Sequence, residues 1–189
     1  MISPWMKNGC ITDFVNKHPD VNRLALCAQL ISAVAYLHKN SVIHGDIKSS
    51  NVLICDKGEV KIMDFGVSIM DQNQIKFTVT SASHGTQRWQ APEILLGKTG
   101  STKQGDMYAL GMTLTEIYTG EYPYGSIDWN VQVMIKIISG QLRPPRPVRL
   151  PLDQRGNKLW NLIEQCWVGQ PDDRLTSYQA LNQIMCIRF

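Results

Sequence analysis

Paired cysteines are what this chain lacks first. Its five cysteines, Cys10, Cys27, Cys55, Cys166 and Cys186, are odd in number, widely spread and form no C-x-x-C pair. That pattern argues against both a disulfide framework and a zinc site, and fits a reducing compartment. No stretch approaches the roughly 18 consecutive apolar residues of a membrane span, and the opening MISPWMKNGC has no basic start followed by an apolar run. These absences predict a soluble, intracellular, cytoplasmic protein without a membrane segment. Runs of Lys and Arg interleaved with aromatics are missing too, and a net charge of +3 is only mildly basic, so nucleic acid is not an expected partner. Internal repeats and low-complexity tracts are absent.

What is present is enough for one domain. A length of 189 residues with 43% hydrophobic content suits a single ordinary globular core. Apolar residues lie on nearly all sides of DVNRLALCAQLISAVAYLHKN, which predicts a long buried helix from Asp20, its candidate N-cap, to about Lys39. Val52 to Ile54 and Val60 to Met63 are short β-branched runs separated by CDKGE, whose turn chemistry predicts a β-hairpin. From Asp64 to Gly100 little periodicity survives, so a long loop is expected there. Helical spacing returns in GDMYALGMTLTEIYTG, with Gly120 placed to end it, and again over Trp129 to Ser139, Lys158 to Val168 and Thr176 to Ile187, where Thr176 is a candidate cap. The fold class expected is mainly α with a short β-hairpin. QLRPPRPVRLP reads either as a stiff connector between helices or as a PxxP ligand for an aromatic groove.

The stretch VIHGDIKSSNVL, from Val42 to Leu53, concentrates the chemistry. Asp46, Asn51 and Asp64 supply hard oxygen donors, and the hairpin between Asn51 and Asp64 can fold those two side by side. Magnesium with phosphate is the natural occupant, since that ion favours one or two carboxylates plus phosphate oxygens and water. Lys48, two residues after Asp46, points to the same side of an extended segment and can hold a phosphoryl group.

H-x-D-x-K-x-x-N followed thirteen residues after Asn51 by Asp64-Phe65-Gly66 resembles the catalytic core of a protein kinase. GTQRWQAPE at Gly85 to Glu93 resembles the end of an activation segment, Asp106 with Tyr108 to Gly111 resembles the buried helix beneath it, and Cys166-Trp167 with Pro171 and Arg174 resembles the closing helices. The last pattern, with RWQAPE, is similar to the tyrosine-kinase-like branch of Ser/Thr kinases. The resemblance implies that Asp46 accepts the proton of a substrate hydroxyl, Lys48 steadies the transferred phosphate, and Asn51 and Asp64 hold Mg2+ on the phosphates of ATP. It further implies that Thr86 bridges base and lysine, as in Ser/Thr-specific members, so the protein substrate offers Ser or Thr hydroxyls. Met6 would contact adenine through its backbone within a hinge strand at Ile2 to Gly9, with Leu53 beneath the ring. Glu93 and Arg174 would form a buried ion pair, and His44 and Phe65 would belong to an apolar column anchored at Asp106.

Two departures accompany the resemblance. Gly45 stands where many kinases carry an arginine, so weak control through phosphorylation at Thr78, Thr80, Ser81 or Ser83 is expected. No G-x-G-x-x-G and no V-A-I-K lysine occurs, so the reading for residues 1–189 is a partial kinase domain, hinge plus C-terminal lobe, with the N-lobe missing. A lone lobe would leave its nucleotide face and an apolar surface open to that N-lobe or to a partner. The alternative function is therefore a kinase-like, non-catalytic interaction protein. A small-molecule phosphotransferase is disfavoured by the peptide-docking Ala91-Pro92-Glu93.

Overall fold

The computed structural model describes residues 5–70, 86–127 and 131–187. In chain order its elements are α1 (Ile11–Lys17), α2 (Arg23–Lys39), β1 (Val42–Ile43), β2 (Val52–Ile54), β3 (Val60–Ile62), β4 (Ile69–Met70), α3 (Pro92–Leu95), α4 (Lys103–Thr119), α5 (Val131–Ile138), α6 (Gln154–Cys166) and α7 (Ser177–Met185). Single 3-10 turns cover Ser49–Asn51, Thr86–Trp89 and Pro171–Asp173. The mainly α architecture with a short hairpin is the one expected.

α4 forms the axis of the core. Every residue from Gly105 to Tyr118 is buried, as befits a helix apolar all round. The Thr102 side chain caps its start by accepting from the Gly105 N–H at 2.9 Å, and Gly120, at φ +73°, ends it in the left-handed conformation that glycine adopts without strain. α1, α2 and α6 pack around it, and α7 closes over α2. Arg23, itself buried, donates to the Ile117 carbonyl at the end of α4 and to Val15 O, tying α1 to the axis.

The hairpin forms in the expected place, antiparallel with Val52 opposite Ile62 and Ile54 opposite Val60. Its buried side chains Val52, Ile54 and Val60 face the core, and β3 rests on α2. α7 begins at its expected cap: Thr176 accepts from Gln179 N–H while the Gln179 side chain accepts from Thr176 N–H, a reciprocal capping box.

Several expectations need correction. The cap of α2 is Asn22 rather than Asp20, because Asn22 Oδ1 reaches the Ala25 N–H at 3.0 Å while Asp20 lies in the preceding turn. α6 starts at Gln154, before the expected Lys158, because Asp153 accepts from the Gly156 N–H at 2.8 Å. The segment 64–100 is not featureless: β4 pairs antiparallel with β1, and a 3-10 turn and α3 follow. Elements of two to four residues are too short to show a period. Residues 71–85 of that segment lie outside the described residues, as do residues 128–130, the last two of which open the helix expected from Trp129. In the proline-rich stretch Pro144, Pro147 and Leu150 are buried at a spacing of three while Pro145 and Val148 are exposed. The prolines of the PxxP pattern thus face the protein, which leaves the connector reading.

Candidate active site

The loop between β1 and β2 is held from below by one carboxylate. Asp106, in the first turn of α4 and 2% exposed, accepts from the His44 N–H (Oδ2, 2.8 Å) and the Gly45 N–H (Oδ1, 2.8 Å), and His38 Nε2 donates to Oδ2 at 3.0 Å. Two successive amides on one carboxylate fix a tight turn, and Gly45 takes φ +81° there. A Cβ at Gly45 would lie 2.8 Å from Ser101 Oγ and 3.3 Å from the Val67 carbonyl, so the turn has no room for a side chain.

His44 is fully buried and both ring nitrogens are occupied. Nδ1 accepts from the Asp46 N–H at 3.2 Å, which leaves the proton on Nε2 to donate to the Met63 carbonyl at 3.0 Å. Its ring meets Phe65 edge-on, centroids 5.0 Å apart. His44 is thereby a packing and orienting residue with no nitrogen left for a metal.

Asp46, Lys48, Asn51 and Thr86 come together as one cluster. Lys48 Nζ lies 2.7 Å from Asp46 Oδ2 and donates to Thr86 Oγ1 at 3.0 Å. Asn51 Nδ2 donates to the Asp46 carbonyl (2.8 Å) and to Oδ2 (2.9 Å). With both N–H groups of the Asn51 amide committed to Asp46, its Oδ1 is the atom left for a cation. Asp46 Oδ1 is buried and accepts no hydrogen bond among the described residues. A cavity of about 40 Å3 is lined by Asp46 together with Thr86, Gln90 and Ser101 among others.

Asp64 is positioned by the ladder. Met63 N–H bonds the Asn51 carbonyl at 2.9 Å, which carries the hairpin pairing to the residue before Asp64 and brings the two expected Mg2+ holders to one end of the hairpin. Asp64 is exposed, adopts φ +63° and accepts from the Gly66 N–H at 3.2 Å. A left-handed aspartate is the kind of local strain that concentrates at functional sites. One amide oxygen and one carboxylate suit Mg2+, which completes its shell with phosphate and water. Among the described residues no group of three or more His, Cys, Asp or Glu converges as a metal cage.

Met6 and Leu53 belong to a second edge of the same region. The Met6 carbonyl accepts from Gly9 N–H at 3.1 Å, Gly9 O accepts from Ile54 N–H at 3.1 Å, and Cys10 bridges to Leu53, so the N-terminal turn is laced to β2. Of the expected hinge, residues 2–4 lie outside the described residues, as do Thr78, Thr80, Ser81, Ser83 and Gly85. Farther down, Arg174 engages Glu93 through two parallel bonds of 2.7 and 2.8 Å.

The protein kinase domain profile matches residues 1–185. The chain belongs to the protein kinase family. A probable serine/threonine-protein kinase of Dictyostelium discoideum is 38% identical over 157 residues, covering 83% of this chain and 16% of that protein. Serine/threonine-protein kinase STY17 of Arabidopsis thaliana is 32% identical over 192 residues, covering 98% of this chain and 32% of its own length. Mitogen-activated protein kinase kinase kinase 19 of Homo sapiens is 27% identical over 185 residues, 94% of this chain and 14% of that protein. The chain thus spans about a third or less of the length of these relatives.

Some residues around this cluster were not apparent from the sequence. Glu116, 1% exposed, accepts from Ser49 and from the Trp89 indole, joining α4 to the loop and to the turn that carries Thr86. Its signal in the sequence was a carboxylate in the apolar run that follows Asp106 in α4. Ser101, against Gly45, gave no signal at all.

Proposed function

We propose that this chain forms the catalytic large lobe of an ATP-dependent protein kinase that transfers the γ-phosphate to Ser or Thr hydroxyls of protein substrates. The observation that carries the reading is the asymmetry of Asp46. Its Oδ2 is held by Lys48 and Asn51, while Oδ1 is buried and accepts no hydrogen bond among the described residues, and Asp46 lines a small cavity. A hydroxyl docked on Oδ1 is oriented for in-line attack on the terminal phosphorus. Its oxygen forms the new P–O bond, the bond to the bridging oxygen of ADP breaks, and the hydroxyl proton passes to Asp46.

Lys48 lies between Asp46 and Thr86, so its ammonium is fixed where negative charge builds on the transferred group. Asn51 Oδ1 and the Asp64 carboxylate are the donors proposed for Mg2+, which when bound neutralises phosphate charge. Met6 and Leu53 are proposed to flank the adenine. Preference for Ser and Thr rests on the Lys48–Thr86 contact, and a cytoplasmic setting fits the five free cysteines.

A groove of about 880 Å3 between α2 and the hairpin, lined by Tyr36, Leu37, Val60, Ile62 and Phe65 among others, favours a second reading. Tyr36 is 69% exposed there. A small lobe seated on this face would complete the nucleotide site, and a different partner would make the chain an interaction module. Transfer of radiolabelled phosphate from ATP to a protein substrate, measured on the natural protein and on its Asp46→Asn variant, separates the two. Activity lost with Asp46→Asn supports the kinase reading, and ATP binding without transfer in the natural protein overturns it.

A further inference from the structure

Glu116 is buried in the last turn of α4, yet its three hydrogen-bond partners are all neutral. Oε2 accepts from Trp89 Nε1 at 2.7 Å and from the Ser49 N–H at 3.3 Å, and Oε1 lies 2.6 Å from Ser49 Oγ. An indole N–H and a peptide N–H can only donate, so Oε2 is an acceptor in every ionisation state. A serine hydroxyl both donates and accepts. Oε1 is therefore the one oxygen on which a proton can sit without breaking a bond: ionised, the carboxylate accepts from Ser49 Oγ, and protonated, it donates to that same oxygen.

The two anchored residues flank the catalytic cluster. Ser49 directly follows Lys48, Trp89 ends the turn that begins with Thr86, and Lys48 Nζ donates to Thr86 Oγ1 at 3.0 Å. We propose that Glu116 is a positioning residue for phosphoryl transfer, clamping the catalytic loop to the end of the activation segment from beneath, and that the Ser49 hydroxyl reverses direction to keep the clamp closed in both ionisation states. Burial pushes the carboxyl up to about 7, opposed by the bonds from Ser49 and Trp89, so both states are populated near neutral pH. The catalytic consequence rests on the kinase reading, whereas the clamp itself does not.

Two readouts test it. In the 15N-labelled chain the Trp89 indole N–H, assigned by its loss in Trp89→Phe, is expected to stay protected from exchange from pH 6 to pH 8. Protection is expected to persist in Glu116→Gln, whose amide can accept from Trp89 and donate to Ser49 Oγ, and to disappear in Glu116→Leu. In the natural full-length protein, Glu116→Gln is expected to keep kcat within about threefold of the unmutated enzyme, with a ratio flat from pH 6 to 8, while Glu116→Leu loses about tenfold or more in kcat with KM for ATP little changed. Protection on only one side of pH 7, or a Gln variant as damaged as the Leu variant, overturns the proposal. Should Glu116→Leu fail to fold, the pH series and the Gln variant still decide. Absent transfer activity in the unmutated protein defeats the kinase reading, and the indole signal then judges the clamp alone.

Discussion

Arg174 and Glu93 meet fork to fork across 81 positions of sequence, Nη1 to Oε1 at 2.7 Å and Nη2 to Oε2 at 2.8 Å. The guanidinium is fully buried and its remaining donors reach the carbonyls of Val168, Gln104 and Gly169. A buried pair of this kind has little net worth against apolar residues of similar volume, because both charges have left water. Its members nonetheless depend on each other. The pair locks α3 onto the turn before α7.

Removing one charge is therefore expected to cost far more than removing both. Arg174→Met should lower unfolding free energy by about 3–5 kcal/mol, since it strands Glu93 in the interior. The double change Arg174→Met with Glu93→Leu should recover most of that loss. Urea denaturation of the single and double variants checks this, and a double variant no more stable than the single would contradict it.

At Gly45 the backbone sits at φ +81° with Ser101 Oγ 2.8 Å from where a Cβ would stand. Gly45→Ala meets both obstacles, a left-handed backbone costing about 1–2 kcal/mol and a steric contact that Ser101 must yield to. The midpoint of thermal unfolding is expected to fall, and Ser101→Gly in the same chain should restore only the steric part. Complete restoration would mean that the backbone conformation carries no cost.

The sequence was most informative where a single residue type performs a local task. Thr176 at the head of α7, Gly120 at the end of α4 and the CDKGE turn between β2 and β3 all act through bonds to near neighbours, which spacing reveals. It was least informative where a choice depends on geometry a few residues wide. Asp20 and Asn22 are both good caps, and only the chain direction at Val21 makes Asn22 the one that reaches Ala25. β1 and β4 pair over two residues each, too few to carry a period. At the site, the kinase resemblance named Asp46, Lys48, Asn51 and Thr86, which the fold brings side by side, whereas the left-handed turn at Asp64 and the bonds from Ser49 and Trp89 to Glu116 were not apparent from the sequence.

The Asp106 clamp yields a prediction of its own. Each of its oxygens accepts a backbone amide, and Oδ2 also takes His38 Nε2. Asp106→Asn presents one oxygen and one NH2 to two peptide N–H groups, so one amide of the loop must face a donor. Hydrogen bonds to charged groups contribute about 1.5–3 kcal/mol each, and a loss of that order is expected. Amide exchange at His44 and Gly45 should accelerate while exchange in α6 stays as it was. Unchanged protection of both loop amides would show that Asp106 does not hold the turn.

Glu116 ties stability to pH. Burial raises its carboxyl from 4.5 to about 7, so the folded chain holds this proton more tightly than the unfolded chain does. The sign follows directly. The contribution is fully present below about pH 4.5, declines as pH rises from there, and is gone once pH passes about 7. Its size is on the order of 3 kcal/mol, an upper figure for a group whose own hydrogen bonds ease the burial. Glu116→Gln has no proton to release, so between pH 5 and 8 the unmutated chain should lose stability relative to the variant. Denaturation midpoints of both chains at matched pH make the comparison, which cancels the other titrating groups. A gap that stays constant across that window would place the Glu116 proton elsewhere, and a gap opening in the opposite direction would mean the carboxylate is the better-solvated form inside the fold.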